Sequence, residues 1–97
     1  MFDLDSTSLL GIAREVGAIT GAATSLPVVP EVPASIADTR AIVLDAPEAC
    51  PLYCGRIVKD VDAKAPTPEW MKRRLERSGI RAISALVDVT NYVMLEL

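Results

Sequence analysis

Three prolines at intervals of three residues place the strongest constraint on how this chain folds: Pro27, Pro30 and Pro33. Each proline fixes its own φ angle and lacks a backbone N–H, so neither a regular helix nor a central strand can run through them. The valines between them favour an extended, polyproline-like path. An SH3-type ligand would have a flanking arginine, which is absent here, so a connector is favoured. The spacing therefore predicts a semi-rigid linker over residues 22–39, which follows a leading helix segment, residues 1–21.

The leading segment carries a helical pattern. Apolar side chains recur there at helical spacing, at Leu9, Ile12, Val16 and Ile19. Asp5, Ser6 or Thr7 is available as an N-cap, and Gly21 is placed to end the helix. The apolar stripe is narrow, which predicts a helix that docks on another surface.

Beyond the linker, two runs have the composition of strands. Residues 41–44 and 52–61 are rich in apolar and β-branched side chains, and Asp-Ala-Pro at 45–47 ends the first run. Gly55 interrupts the alternation of the second run, which predicts a bulge or a close approach of the backbone. The short connection between the runs permits a hairpin, and equally permits other strands between them in the sheet.

The two cysteines, Cys50 and Cys54, lie four residues apart. On a strand their Cα atoms would be about 13 Å apart at ~3.3 Å per residue, whereas a disulfide needs a separation within about 7 Å. The chain has no histidine and no second cysteine pair, so a zinc site is not supported. The prediction is buried free thiols and a reducing, cytoplasmic setting.

The clearest helix signals follow the second strand run. Thr67 is a good N-cap, Pro68 suits the first helical position, and Glu69 complements the helix dipole. Gly79 followed by apolar Ile80 predicts a Schellman-type ending.

This helix is predicted to bury one side and to expose basic residues on the others. The buried side is Trp70, Met71 and Leu75, packed against Ile57, Val58 or Leu86. The other sides carry Lys72, Arg73, Arg74 and Arg77. Between Glu69 and Arg81 five basic residues stand against two acidic ones, which gives this segment +3 in a chain of net charge −3. Clustered positive charge contacts RNA phosphates; the alternative is a solvated face on which Glu69–Arg73 and Glu76 make ordinary helical ion pairs.

Residues 83–97 fit two patterns. The β-branched run 87–93 is compatible with a strand. One helical face is equally available, at Ile83, Leu86, Val87, Thr90, Met94 and Leu97. Ser84 or Asp88 is available as a cap, and the helix is favoured.

The sequence as a whole predicts an α+β fold with an N-terminal helix, a Pro-rich connector, a small, mostly antiparallel sheet and two C-terminal helices.

Several blocks of sequence carry a family resemblance. They are Cys-Pro-Leu-Tyr-Cys-Gly-Arg at 50–56, Pro-Thr-Pro-Glu-Trp-Met at 66–71, Gly-Ile-Arg at 79–81 and Val-Asp-Val-Thr-Asn-Tyr-Val-Met-Leu-Glu-Leu at 87–97. In order and spacing they resemble the bacterial phenylalanyl-tRNA synthetase beta chain where its B3/B4 domain begins. Gly-Ile-Ala-Arg-Glu-Val-Gly-Ala at 11–18 is similar to the family's helix just upstream.

The resemblance also predicts how the chain relates to that family. The family continues past Leu97, and it has a longer stretch where this chain is shortened near residues 6–8. We therefore expect residues 1–97 to be a fragment forming a single partial domain, with residues 40–97 as the start of the B3/B4-like core.

The resemblance implies a parent enzyme that joins phenylalanine to its tRNA with ATP and magnesium, at a synthetic site on the alpha chain. It implies that the B3/B4 domain hydrolyses mischarged tyrosyl-tRNA. The family's histidine, acidic and threonine positions associated with the editing pocket lie beyond Leu97. Of the residues associated with editing, only Arg81 is present, as a candidate contact to the terminal phosphate or ribose of tRNA; a surface ion pair just past a helix end is the alternative.

The residues themselves argue against independent catalysis. The sequence has no nucleophile beside a plausible base, no glycine-rich phosphate loop and no metal-ligand cluster. The chain alone is therefore expected to have no catalytic residues, no metal and no cofactor, with the parent alpha chain and tRNA as partners by resemblance. No apolar run reaches the ~18 residues of a membrane helix.

Two other functions are alternatives to a non-catalytic fragment of the beta chain. One is a reduced or engineered α+β module that self-associates, and the other is a tRNA-contacting element working through residues 69–81.

Overall fold

The computed structural model describes residues 7–97 and forms three helices there. They are α1, Leu9–Thr20; α2, Glu69–Arg77; and α3, Ala85–Glu96. The described residues divide into two units: the one with the helices runs up to Val28 and again over Asp62–Leu97, and the other is Val29–Val61. None of these three helices is long and apolar enough to cross a membrane. The predicted shortening near residues 6–8 extends outside the described range.

α1 begins with a side-chain cap at Ser8. The Ser8 hydroxyl accepts a hydrogen bond from the Gly11 backbone N–H at 3.1 Å, which satisfies one of the free donors of the first turn. The predicted cap at Thr7 is therefore one residue early, and Asp5 and Ser6 lie outside the described residues.

α1 ends as predicted at Gly21. This glycine has φ 72°, in the left-handed region, and its N–H donates to the Gly17 carbonyl at 2.9 Å. A residue without a Cβ adopts that conformation at little cost, so the helix stops there.

α2 ends in a complete Schellman motif, which confirms the prediction from Gly79 and Ile80. The Ile80 N–H donates to the Leu75 carbonyl at 2.9 Å, and the Gly79 N–H donates to the Glu76 carbonyl at 3.0 Å. Gly79 has φ 81°. The two bonds satisfy carbonyls that the last turn would leave free.

α2 begins one residue later than predicted. Pro68, not Thr67, occupies the N-cap position, and its carbonyl accepts the N–H groups of Met71 and Lys72 at 3.0 Å each. The Thr67 hydroxyl makes no cap on α2 because it donates to the Asp88 carboxylate instead.

α3 confirms the helix favoured for residues 83–97, with Ser84 as its N-cap, but the predicted apolar face is wrong. Most of that face is exposed: Leu86, Val87, Met94 and Leu97 are between 41% and 61% accessible. Asp88 is instead fully buried, and Tyr92 on the same side is half-buried. The hydrogen bonds of Asp88, not the apolar spacing, set the rotation of the helix.

The predicted sheet is absent from residues 7–97, so the α+β assignment is wrong. Residues 41–44 and 52–61 are irregular, and no ladder of backbone hydrogen bonds joins them. Their β-branched side chains are exposed, with Val43 79% and Val58 69% accessible. A two-stranded hairpin is marginal in water unless a third strand or a helix covers one face.

One local feature of the second run is as predicted. Gly55 lies at a close approach, because a Cβ added there would be 3.3 Å from Ile42 Cδ1. The two runs therefore pass near each other here without pairing. Cys50 and Cys54 in this segment are free, as predicted, but they are exposed rather than buried, since no sheet covers them.

The buried apolar core of the described residues is confined to α2. Met71 is 7% accessible and Leu75 is fully buried, which confirms two of the three predicted core residues. Trp70 is 51% accessible, so its predicted burial against Ile57, Val58 or Leu86 is wrong. Trp70 is rotated by about 100° around the helix axis from its neighbour Met71. Its ring therefore lies at the surface of the α2–α3 pair, where it contacts Tyr92.

Candidate nucleic-acid interface

A buried carboxylate ties the segment before α2 to the start of α3. The two oxygens of Asp88 accept the Ile83 N–H at 2.9 and 3.2 Å, and Oδ2 also accepts the Thr67 hydroxyl proton. Among the described residues, no buried side-chain nitrogen or oxygen lacks a hydrogen-bond partner. A buried charge is tolerated only when it is hydrogen-bonded in this way. These hydrogen bonds fix the segment before α2 to α3, and the α2–α3 pair is held in one arrangement.

Three side chains form a compact group on the outside of this pair, the Trp70–Arg74–Tyr92 cluster. The two aromatic rings meet edge to face, with centroids 5.2 Å apart and an interplanar angle of 89°. The Arg74 guanidinium lies over the Trp70 ring, 5.4 Å from its centroid, and Nη1 donates to the Tyr92 hydroxyl at 2.7 Å. Cation–π and edge-to-face contacts hold the three groups in one arrangement.

The predicted basic side chains of α2 are all exposed, and so is Arg81. Arg73 forms the predicted ion pair with Glu69, but at 3.8 Å and between exposed side chains. In the part of the chain that the structure describes, Lys72, Arg77 and Arg81 make no side-chain hydrogen bond or ion pair. The exposure of these side chains fits both an RNA contact and the alternative of a solvated face, on which Glu69–Arg73 is the one ion pair formed by α2 within the described residues.

Helical spacing places Trp70 and the three arginines on one side of α2, whereas Lys72 lies on the opposite side. Trp70, Arg74 and Arg77 stand at positions i, i+4 and i+7, and Arg73 at i+3 lies beside them. Arg81 follows two residues after the glycine that ends the helix. Trp70 and Tyr92 were not predicted as site residues from the sequence, although the i, i+4 spacing of Trp70 and Arg74 was a visible signal.

Metal-binding side chains are not brought together within the described residues. Over residues 7–97 no group of three or more His, Cys, Asp or Glu side chains is placed to hold a metal ion. Asp88, the one buried carboxylate of the described residues, already accepts hydrogen bonds from the Ile83 N–H and the Thr67 hydroxyl.

The unit Val29–Val61 has its own polar contacts. Arg56 Nη1 donates to the Val32 carbonyl at 2.7 Å, and Lys59 pairs with Asp38 at 2.6 Å. These contacts border an open cavity that contains no predicted site residue.

Comparison with known proteins identifies the segment that carries α2 and α3. A protein-family model described as the B3/4 domain matches residues 49–97. The phenylalanine–tRNA ligase beta subunit of Dechloromonas aromatica (strain RCB) is 90% identical over 93 residues, which cover 96% of this chain. The protein of the same name from Aromatoleum aromaticum is 66% identical over 93 residues, and that from Chromobacterium violaceum is 55% identical over 92 residues.

The matched region is a small part of these relatives. The chain spans about 12% of the length of each of the three proteins. No solved structure matches the chain significantly.

Proposed function

The chain belongs to the B3/4 domain family, and on that basis we propose that it serves in the tRNA-editing region of a phenylalanine–tRNA ligase beta subunit, where it contacts tRNA through α2 and does not itself perform hydrolysis. The observation that carries the proposal is the exposed positive charge of α2 and of Arg81 just after it. Lys72, Arg77 and Arg81 have no partner within residues 7–97, so their charge is available to a polyanion.

Charge supports a local contact with tRNA rather than a general attraction. The whole chain has a net charge of −3, whereas residues 69–81 have five basic and two acidic side chains. A negatively charged chain repels RNA over most of its surface, so binding concentrates where positive charge is clustered. Each phosphate contact releases a counterion, and binding therefore weakens as salt rises.

The resemblance implies editing, and physical chemistry explains why such a site is needed. An apolar pocket cannot strongly reject an isostere that carries one added hydroxyl, so a synthetic site for phenylalanine admits tyrosine. A second site that recognises the hydroxyl can then remove the error by hydrolysis. Positioning of the ester contributes about 7–11 kcal/mol to such a step, and over residues 7–97 no group of three or more His, Cys, Asp or Glu side chains is placed to hold a metal ion for it.

The partners and cofactors proposed for this chain follow from its relatives. A protein named a beta subunit has a companion subunit, and we propose an alpha chain as partner in the cytoplasm. ATP and magnesium belong, in this proposal, to the synthetic site on that companion.

Self-association is the second proposal, and the exposed stripe of α1 favours it. Leu9, Ile12, Val16 and Ile19 are 47–81% accessible, although they lie on one helical face. Contiguous exposed apolar surface of this kind tends to bind a partner. A second copy of the chain is the occupant proposed for the isolated protein.

Incubation of the 97-residue chain with tyrosyl-tRNA tests both parts of the main proposal. We expect the chain to retain tyrosyl-tRNA on a filter at low salt while the ester decays at its background rate. Failure to retain the tRNA at any salt concentration would remove the proposed contact. Hydrolysis proportional to protein concentration and lost in Arg81→Ala would show that the chain itself edits.

A further inference from the structure

We propose that the Trp70–Arg74–Tyr92 cluster is a stacking platform for an unpaired RNA base, whose neighbouring phosphates are bound by Arg73 and Arg77. This inference rests on the proposed contact with tRNA and adds to it the part of the RNA that α2 receives. The ligand is a single-stranded nucleotide rather than a base-paired stem.

The first support is the exposure of Trp70. Its neighbour Met71 is buried, yet the largest ring in the chain keeps 51% of its surface accessible. A tryptophan in this position offers an aromatic surface to solvent, and every nucleobase has a π-face that can stack on such a surface.

The second support is the fixed arrangement of the ring. The Arg74 guanidinium over Trp70 and its hydrogen bond to the Tyr92 hydroxyl at 2.7 Å hold the three side chains in place before a ligand arrives. Tyr92 is itself carried by α3, which the buried Asp88 ties to the chain before α2. A preorganised site loses little side-chain entropy when it binds.

The third support is charge complementarity on the same side of the helix. Arg77 stands seven residues after Trp70, about 10.5 Å along the axis at 1.5 Å per residue, and Arg73 lies between them. A base stacked on Trp70 thus has cationic groups within reach of the phosphates beside it. Proteins that bind single strands combine these two elements, a basic track and an exposed aromatic ring.

An unpaired base explains this combination better than a stem does. A-form RNA presents phosphates and 2′-hydroxyls, and its bases are already stacked on one another, so an exposed tryptophan adds nothing to stem binding. An acidic peptide would use the arginines, but it would not need the ring.

The single tryptophan of the chain makes the test specific to this site. The 97-residue protein is titrated with a single-stranded RNA of about eight nucleotides and with the matching duplex, while Trp70 fluorescence is recorded. We expect the single strand to quench Trp70, and Trp70→Leu to weaken single-strand binding by about fivefold or more while duplex binding stays unchanged. Arg14→Gln, which removes an exposed charge on α1, is the matched control and should change neither.

Circular dichroism and Trp70→Phe separate loss of stacking from loss of folding. Trp70→Phe keeps an aromatic face and should retain most of the single-strand affinity, and both variants should keep the helical signal. Equal affinity of Trp70→Leu and the original chain for the single strand, with tRNA binding intact, overturns the stacking platform alone. Loss of binding to every RNA in the unaltered chain overturns the proposed function as well. A Trp70 emission that shifts with protein concentration without RNA assigns the surface to a second copy and also overturns the inference.

Discussion

The Thr67 hydroxyl donates a hydrogen bond to the buried carboxylate of Asp88, 21 residues further along the chain. Because the Thr67 hydroxyl makes this bond, it does not cap α2 as the sequence predicted. The same bond holds α3 in a rotation in which Asp88 faces the interior. The α2–α3 pair, and hence the position of Tyr92 beside Trp70, depends on it.

Replacing the buried carboxylate tests that dependence. Asp88→Ala removes the acceptor of the Ile83 N–H and of the Thr67 hydroxyl, and hydrogen bonds to a charged group contribute about 1.5–3 kcal/mol each. We expect the free energy of unfolding in urea to fall by about 2 kcal/mol or more. Glu48→Ala, at an exposed position, is the control and should change stability by no more than about 0.5 kcal/mol. Equal stability of the two variants would show that Asp88 does not organise the pair.

The Schellman ending of α2 predicts a cost for a side chain at Gly79. Nothing lies within 4 Å of a Cβ built there, so the cost comes from the positive φ of 81° alone. Gly79→Ala should destabilise the chain by about 1–2 kcal/mol, measured by urea unfolding. Gly79→Asn should recover part of this loss, because asparagine adopts the left-handed conformation more readily. An alanine variant as stable as the original would mean that the turn relaxes to another conformation.

Exposure of both cysteines gives a chemical prediction. Cys50 and Cys54 are free and accessible, so a thiol reagent should modify both in the native chain at rates close to those in urea. Counting modified thiols by mass spectrometry during the reaction measures this. Strong protection of either thiol under native conditions would support the buried thiols that the sequence predicted.

The exposed stripe of α1 predicts association that a single charge can weaken. Ile19 is 81% accessible, so Ile19→Lys should leave the helix content unchanged while it lowers the mass of the chain measured by sedimentation at high concentration. Arg14→Lys, on the same helix and without a change of charge, is the control. A mass of 10.4 kDa for the unaltered chain at every concentration contradicts self-association.

The sequence predicted features whose causes lie within a few residues. Gly21 and the Gly79–Ile80 pair ended their helices as expected, because a left-handed glycine acts on the turn next to it. Met71 and Leu75 were likewise identified from spacing on one helix.

The errors came from interactions between distant parts of the chain. Strand composition at residues 41–44 and 52–61 cannot specify a sheet unless another element covers it, and no such partner can be identified from either run. The outward rotation of the apolar side of α3 follows from Asp88 bonding to Thr67, which periodicity does not record. For the candidate site, sequence identified the basic side chains, whereas the contact of Trp70 with Tyr92 required the structure.

The salt dependence of tRNA binding tests whether α2 contacts tRNA. Affinity of the 97-residue chain for tRNA is determined between about 50 and 200 mM salt, for the original chain and for the triple variant Lys72→Gln, Arg77→Gln, Arg81→Gln. The matched control is Arg14→Gln, Arg40→Gln, Lys64→Gln, which makes the same change in net charge at exposed positions outside α2.

If α2 contacts tRNA, the slope of log affinity against log salt should fall in magnitude by about 1 for each phosphate contact removed in the α2 variant, while the control keeps a slope close to that of the original chain. Equal slopes for the two triple variants would contradict a contact between α2 and tRNA. Binding would then depend on the net charge of the chain and not on the basic residues of α2 and Arg81.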